Sequence, residues 1–199
     1  MTALRLPPTA LALLAALGLS ACAPTIIGAG ATAGVAAAEE RGIEGAIDDV
    51  KIRAEINHYW FQHNIEMYRQ VGLTISEGRV LLTGIVPLQE ARVDAVRLAW
   101  QAAGVKEVMN EIQVGNSSVL DSGRDVVISQ KLKARMMFDK EIRNINYTVD
   151  VVDSVVYIMG IAQDDGELER VIAHARDISG VKKVVNHVRL RSDPRRISG

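Results

Sequence analysis

Residues 49–114 match residues 125–190 at a constant offset of 76, with no insertion in either segment. Asp49-Val50 meets Asp125-Val126, Ile52 meets Ile128, Gly84-Ile85 meets Gly160-Ile161, and Gly104-Val105-Lys106 meets Gly180-Val181-Lys182. Twelve of the 66 aligned positions are identical, and many apolar positions agree in kind. Two tandem copies of one small domain follow, so every element read in one copy is expected in the other.

Each copy opens with helical spacing: Ile52, Ile56 and Tyr59 in the first, Ile128 and Leu132 in the second. Val71, Leu73 and Ile75 then alternate, as do Tyr147, Val149 and Val151, which is the period of a strand. Glu77-Gly78 and Asp153-Ser154 read as turns into a second strand, "RVLLTGI" or "VVYIMGI". Gly84 and Gly160 stand where a bulge or a close backbone approach suits glycine. Pro87 is placed to begin a second helix, whose buried face is read as Val93, Val96 and Ala99-Trp100, matched by Val171-Ile172 and Ala175. Gly104 and Gly180 fit helix C-terminal glycines, and "VKEVMNEIQV" and "VKKVVNHVRL" form a third strand. The fold class is therefore α+β: two tandem α-β-β-α-β units, each a three-stranded sheet with helices packed on one face.

The first 21 residues have a different character. Arg5 precedes an unbroken apolar stretch from Ala10 to Leu19, followed by Ser20, Ala21 and the single cysteine, Cys22. A positive start, a short apolar centre and a small-residue exit make a secretory signal. A lone cysteine has no disulfide or metal-site partner. Leu19-Ser20-Ala21-Cys22 has the form of a lipobox, which makes Cys22 the expected lipid-attachment residue. An uncleaved spanning helix is the alternative, since no charge occurs from Leu6 to Ala38, but prolines and glycines punctuate that stretch. Residues 23–47 read as a Gly/Ala-rich spacer with a charged, Gly-broken end, "EERGIEG".

Cleavage before Cys22 removes Arg5 and takes the formal net charge from −1 to −2, which argues against nucleic acid as a partner. Aromatics make up 4% of the chain, so the cores are aliphatic. No metal or cofactor is expected. His58 and His63 are five apart and miss the i, i+4 pairing of two ligands on one helical face, and His174 and His187 lie on different elements without a carboxylate cluster. No Gly-x-Ser-x-Gly elbow or phosphate-binding loop occurs, and Asp164-Asp165 maps to a helix start, where acids favour the macrodipole. Neither a catalytic site nor a small-molecule substrate is read from the sequence.

The α-β-β-α-β unit, "VLLTG" and "VYIMG" ending the second strand, and "GVKEVMNEI" and "GVKKVVNHV" forming the third resemble BON domains. With the lipobox and spacer, the chain resembles the dual BON-domain outer-membrane lipoproteins of Gram-negative bacteria. The reading divides it into a signal peptide (1–21), a lipidated cysteine with linker (22–47), BON domains at 48–115 and 124–191, and a basic tail (192–199). The resemblance implies a non-enzymatic protein, lipid-anchored in the outer membrane and facing the periplasm, that binds anionic phospholipid and supports envelope integrity. It also implies that lipid meets the first helix of the second copy, although the aromatic that relatives carry near its start is replaced here by Val126-Val127-Ile128.

On that helix Ile128, Leu132 and Met136 share the face expected to meet the sheet, while Val127, Ala134 and Phe138 fall together on nearly the opposite side. Lys131 and Arg135 flank this strip on one side and Lys133 on the other; the matched positions in copy one, Lys51, His58 and Gln62, are polar. Copy two carries 12 basic and 10 acidic residues over 124–191, against 7 and 8 over 49–114 in copy one. An apolar strip with basic edges suits an anionic phospholipid membrane. Two alternatives stand beside it: the strip packs against copy one, or the copies form a periplasmic scaffold for envelope proteins. Mass spectrometry of the mature amino terminus is expected to find a triacylated Cys22, with lipid labelling abolished in Cys22→Ala.

Overall fold

The computed structural model describes residues 36–116 and 119–197. The first copy runs through α1 (Gly42–His63), α2 (Ile65–Gln70), β1 (Val71–Ser76), β2 (Arg79–Val86), α3 (Gln89–Ala99), β3 (Glu107–Asn110) and β4 (Gln113–Val114). The second runs through α4 (Val119–Phe138), a 3-10 turn at Asn144–Asn146, β5 (Tyr147–Val152), β6 (Val155–Ala162), α5 (Asp165–Arg176) and β7 (Lys183–Leu190), followed by a short α6 (Pro194–Ile197). In each copy the first two strands form an antiparallel hairpin. The third strand returns through a helix to pair parallel with the middle one, as Val80↔Val108 and Val156↔Val184 show. No described strand of one copy enters the sheet of the other.

Both hairpins close through two residues of left-handed backbone, Glu77-Gly78 and Asp153-Ser154, the geometry whose twist matches paired strands. Left-handed φ is awkward for Ser154 and Asp153, and a neighbouring carboxylate holds the turn. Asp125 accepts from the backbone N–H groups of Asp153 (2.8 Å) and Ser154 (2.7 Å). Asp49 does the same for Glu77 (3.0 Å) and Gly78 (2.9 Å). The repeat identity Asp49/Asp125 thus ties each first helix to the turn of its own hairpin through charge-assisted hydrogen bonds.

Each helix layer covers one sheet face. Ile52, Ile56 and Trp60 bury against Val80, Leu82 and Val86 in copy one; Ile128, Leu132 and Met136 bury against Val156 and Ile158 in copy two. Trp60, rather than Tyr59, takes the third core position and donates its Nε1–H to the Ala95 carbonyl at 3.1 Å. Pro87 does not start α3: the helix begins at Gln89, after Leu88. Its buried face is Ala95, Leu98 and Ala99, with Val93 and Trp100 exposed, so that helix is rotated relative to the sequence reading. The third strand of copy one is also broken, between β3 and β4. Gly84 and Gly160 have φ of +112° and +148°, and a Cβ there would land on the carbonyl oxygens of Gln70 and Asn146.

The uncovered sheet faces meet each other. Leu81 of β2 packs with Tyr157 and Met159 of β6, and Met109, Val152, Val155 and Val185 complete a third apolar cluster between the copies. The copies are therefore not independent, as separate cores alone would make them. Polar bonds ring this contact. Glu107 accepts from Arg79 (2.9 Å) and from Arg189 of the other copy (2.8 Å), Arg79 also reaches the His187 carbonyl (3.0 Å), and Thr83 donates to Asp150. His187 pairs with Glu111, its own repeat counterpart, at 3.0 Å. β1 touches β6 as β2 touches β5. That reciprocity is the mark of an approximate two-fold axis.

The described parts of the stretches read as spacer end and basic tail, 36–47 and 192–197, are structured. Helix α1 starts at Gly42, Glu40 binds Arg143 and Arg191, and Arg196 pairs with Glu77 at 2.7 Å.

Two outcomes follow. Gly84→Val and Gly160→Val each combine a close backbone contact with a disfavoured φ and should lower stability by about 2–4 kcal/mol, read from urea unfolding midpoints. Burial opposes ionisation of Glu107, but its hydrogen bond from Arg79 and the charges of Arg79 and Arg189 outweigh that and lower its pKa. A carboxyl lowered in the folded state contributes stability above its unfolded pKa, near 4.5, and loses it as pH falls through the folded value. Thermal melts between pH of about 5 and 3 should show a steeper acid decline for the native chain than for Glu107→Gln.

Candidate membrane-docking face

Helix α4 places Asp121 in its first turn and Arg135 in its last, the charge order that complements a helix dipole. Ile128, Leu132 and Met136 are its buried stripe. Val127 and Phe138 stand 51% and 82% exposed, and Ala134 between them is exposed as well. The face is wider than the sequence strip, because Val126 and Met137 are 60% and 64% exposed on its other side. At about 100° per residue, Lys133 borders the Val126–Met137 side, and Lys131 and Arg124 border the Val127–Phe138 side.

Val127, Ala134 and Phe138 do not pack against copy one, while Val126 borders a cleft it shares with Arg69, Gln70 and Ile85 of copy one. The sheet backs take that contact, and the helices of each copy lie on the outside. Lys131 and Lys133 are exposed and make no ion pair among the described residues. Arg135 is already engaged, donating to Asp177 at 2.7 Å and to the His174 carbonyl at 3.3 Å. Arg124 lies 3.4 Å from Asp121. At the end of the helix His174 meets Asp139 at 2.8 Å; that bond, with a backbone N–H from Glu141, holds the Asp139 carboxyl below its ordinary range.

A profile of the BON domain family matches residues 48–116 and 124–192. The chain belongs to that family. It is 44% identical over 147 residues to an Anaplasma centrale protein described as "Uncharacterized protein in gshII 5'region", covering 73% of this chain and 96% of the relative. It is 30% identical over 188 residues to "Outer membrane lipoprotein DolP" of Haemophilus influenzae, covering 93% of this chain and 96% of that one. The "Osmotically-inducible protein Y" of Escherichia coli is 24% identical over 148 residues, 73% of this chain and 74% of the relative.

The first BON domain differs from the sequence reading on its outer face. Lys51, His58 and Gln62 are polar as expected, yet α1 carries its own exposed apolar stripe, rotated from those positions: Ile43, Ile47, Val50 and Phe61. One of its edges is acidic, whereas Asn57 and Arg53 border the other. Glu44, Asp48 and Glu55 follow the acidic edge, and the single lysine there, Lys51, is bound to Asp48 at 2.9 Å. Scanning α1 for its own periodicity, rather than comparing it position by position with α4, would have found this stripe.

His63, His174 and His187 each pair with a single carboxylate, of Asp94, Asp139 and Glu111. Among the described residues no group of three His, Cys, Asp or Glu side chains is placed to hold a metal, and no helix is long and apolar enough to cross a membrane. Asp164 caps α5, accepting from Glu167 N–H at 2.9 Å, as its position at a helix start predicts. The signal stretch and Cys22 lie outside the described residues.

Proposed function

We propose that this chain is an envelope lipoprotein, acylated at Cys22 and held at the outer membrane facing the periplasm, whose second BON domain docks on anionic phospholipid and thereby supports envelope integrity. One observation carries the reading: the exposed strip of Val126, Val127, Ala134, Met137 and Phe138 on α4, edged by Lys131 and Lys133, which make no ion pair among the described residues. Likeness to the Haemophilus outer-membrane lipoprotein over nearly the whole chain supports the location. No catalytic role enters the proposal.

Affinity then has two parts. Phe138 contributes apolar burial, on the order of 1.5–3 kcal/mol if fully buried and less at shallow depth. Lys131 and Lys133 contribute roughly 1 kcal/mol each near an anionic surface, fading within a Debye length. Arg135 contributes less, because Asp177 already neutralises it.

A second reading has its own support. The acid-edged apolar stripe on α1 suits a protein partner better than an anionic bilayer, so the first BON domain is the candidate surface of a periplasmic interaction scaffold.

Co-sedimentation of the anchor-free chain with liposomes separates the two. Binding is expected with anionic but not neutral vesicles. Lys131→Gln with Lys133→Gln should weaken it at low salt and flatten its salt dependence, Arg135→Gln should do less, and Phe138→Ser should weaken it at every salt concentration. Changes at Lys51 and Gln62 should have little effect. No binding to anionic vesicles even at low salt would leave the scaffold reading in place of the lipid one.

A further inference from the structure

Glu40 stands where the chain enters the folded body, and it is held from several directions. Its backbone N–H donates to Asn146 Oδ1 at 3.0 Å, and its carboxylate takes Arg143 Nη1 at 2.7 Å and Arg191 Nε at 3.3 Å. Arg196 Nη2 donates to its carbonyl at 3.3 Å, and Arg143 Nη2 donates to the Ala38 carbonyl at 3.3 Å. The Glu40 side chain is 13% exposed, whereas those of Arg143 and Arg191 are half-exposed or more, so the clamp rests on the number of its bonds rather than on the burial of any one pair. Arg143 and Asn146 belong to the segment that joins α4 to β5, which starts directly after Phe138. Arg143 is five positions beyond Phe138, a reach of at most about 17 Å.

We infer that this clamp fixes where the lipid tether leaves the body, at the C-terminal end of α4, so that the second BON domain meets the bilayer Phe138 end first. The inference rests on the lipid reading above and on acylation of Cys22. Its occupant is the bilayer that holds the chain's own anchor. From Cys22 to Ala36 the chain spans at most about 50 Å, long enough to leave orientation open unless the exit point sets it. The strip from Val126 to Phe138 is about 18 Å long. Releasing residues 36–40 would add roughly 17 Å of slack, which equals the length of the strip and erases the preference for one end. Lys140 and Ile145 are exposed in the same segment, and they extend the leading edge with one charge and one apolar group.

The full-length acylated protein in phosphatidylglycerol–phosphatidylcholine vesicles provides the test, because acylation leaves no native thiol. An environment-sensitive thiol dye is placed at Lys140→Cys or at Gly123→Cys, near the other end of α4, where an added Cβ meets nothing within 4 Å. A lipid-borne quencher should quench the dye at 140 several-fold more than at 123. In Glu40→Gln with Arg143→Gln that difference should fall below about twofold, with vesicle retention and circular dichroism unchanged. Arg191→Gln, a milder cut, should narrow it part-way and serves if the double variant misfolds. Equal quenching at the two sites in the native clamp, or a difference that survives in these variants, overturns the inference. If the anchor-free chain also fails to sediment with anionic vesicles, the lipid reading falls; if it sediments normally, only the clamp does.

Discussion

The contact between the backs of the two sheets determines the rest of the molecule. A three-stranded sheet covered by helices on one side still has a second face, and here that face carries Leu81 in one copy and Tyr157 with Met159 in the other. Large apolar groups on an uncovered sheet would leave a sizeable apolar patch in water. Closing the sheets on each other removes it and forces both helix layers outward. As a consequence, the first helices of the two BON domains keep apolar residues exposed on the outer side of their sheets. One outer face is edged by lysines and the other, along one side, by carboxylates, so the molecule has two chemically different surfaces built on one repeated plan.

The approximate two-fold relation explains why charges diverge where the framework does not. Positions that hold the framework keep their identity or kind: the turn-binding aspartates, Gly84 and Gly160, and the middle-strand residues Val80 and Val156. At the axis the two copies must differ to be complementary. Two like residues facing each other there would repel or leave a polar group unpaired, and Glu111 opposite His187 avoids both.

Most of the fold was legible in the sequence because the repeat has no gaps and each copy corrects the other. Turn residues, strand alternation and the first-helix core stripe all follow from short-range chemistry. The sheet-to-sheet contact was hidden for a specific reason. In β6 the run Val155–Ala162 is apolar on both faces, the pattern of a strand buried on both sides, but in β2 Arg79 and Thr83 share the back face and disguise it. Those two side chains are buried with the help of partners in the other copy, the His187 carbonyl for Arg79 and Asp150 for Thr83, which no local pattern reveals. The rotation of α3 was lost similarly, since Pro87 suggested a start two residues early. Of the candidate face, Val127, Ala134 and Phe138 were visible from helical spacing; Val126 and Met137 were not, because their exposure depends on how α4 sits on its sheet.

The way the third strand pairs also has a kinetic side. In each BON domain the last strand lies parallel to the middle one, so the sheet closes only after a helix and its two connections have formed. Pairings that span this much chain close slowly compared with hairpins. A chain growing from its amino terminus can finish the first domain while the second is still incomplete. The bonds made by Arg191 and Arg196 to the entry segment form later than these pairings, because both residues lie beyond β7. The bonds of Arg143 and Asn146 need only the start of the second domain, so the entry segment is fixed in two stages, the later one waiting for the residues beyond β7.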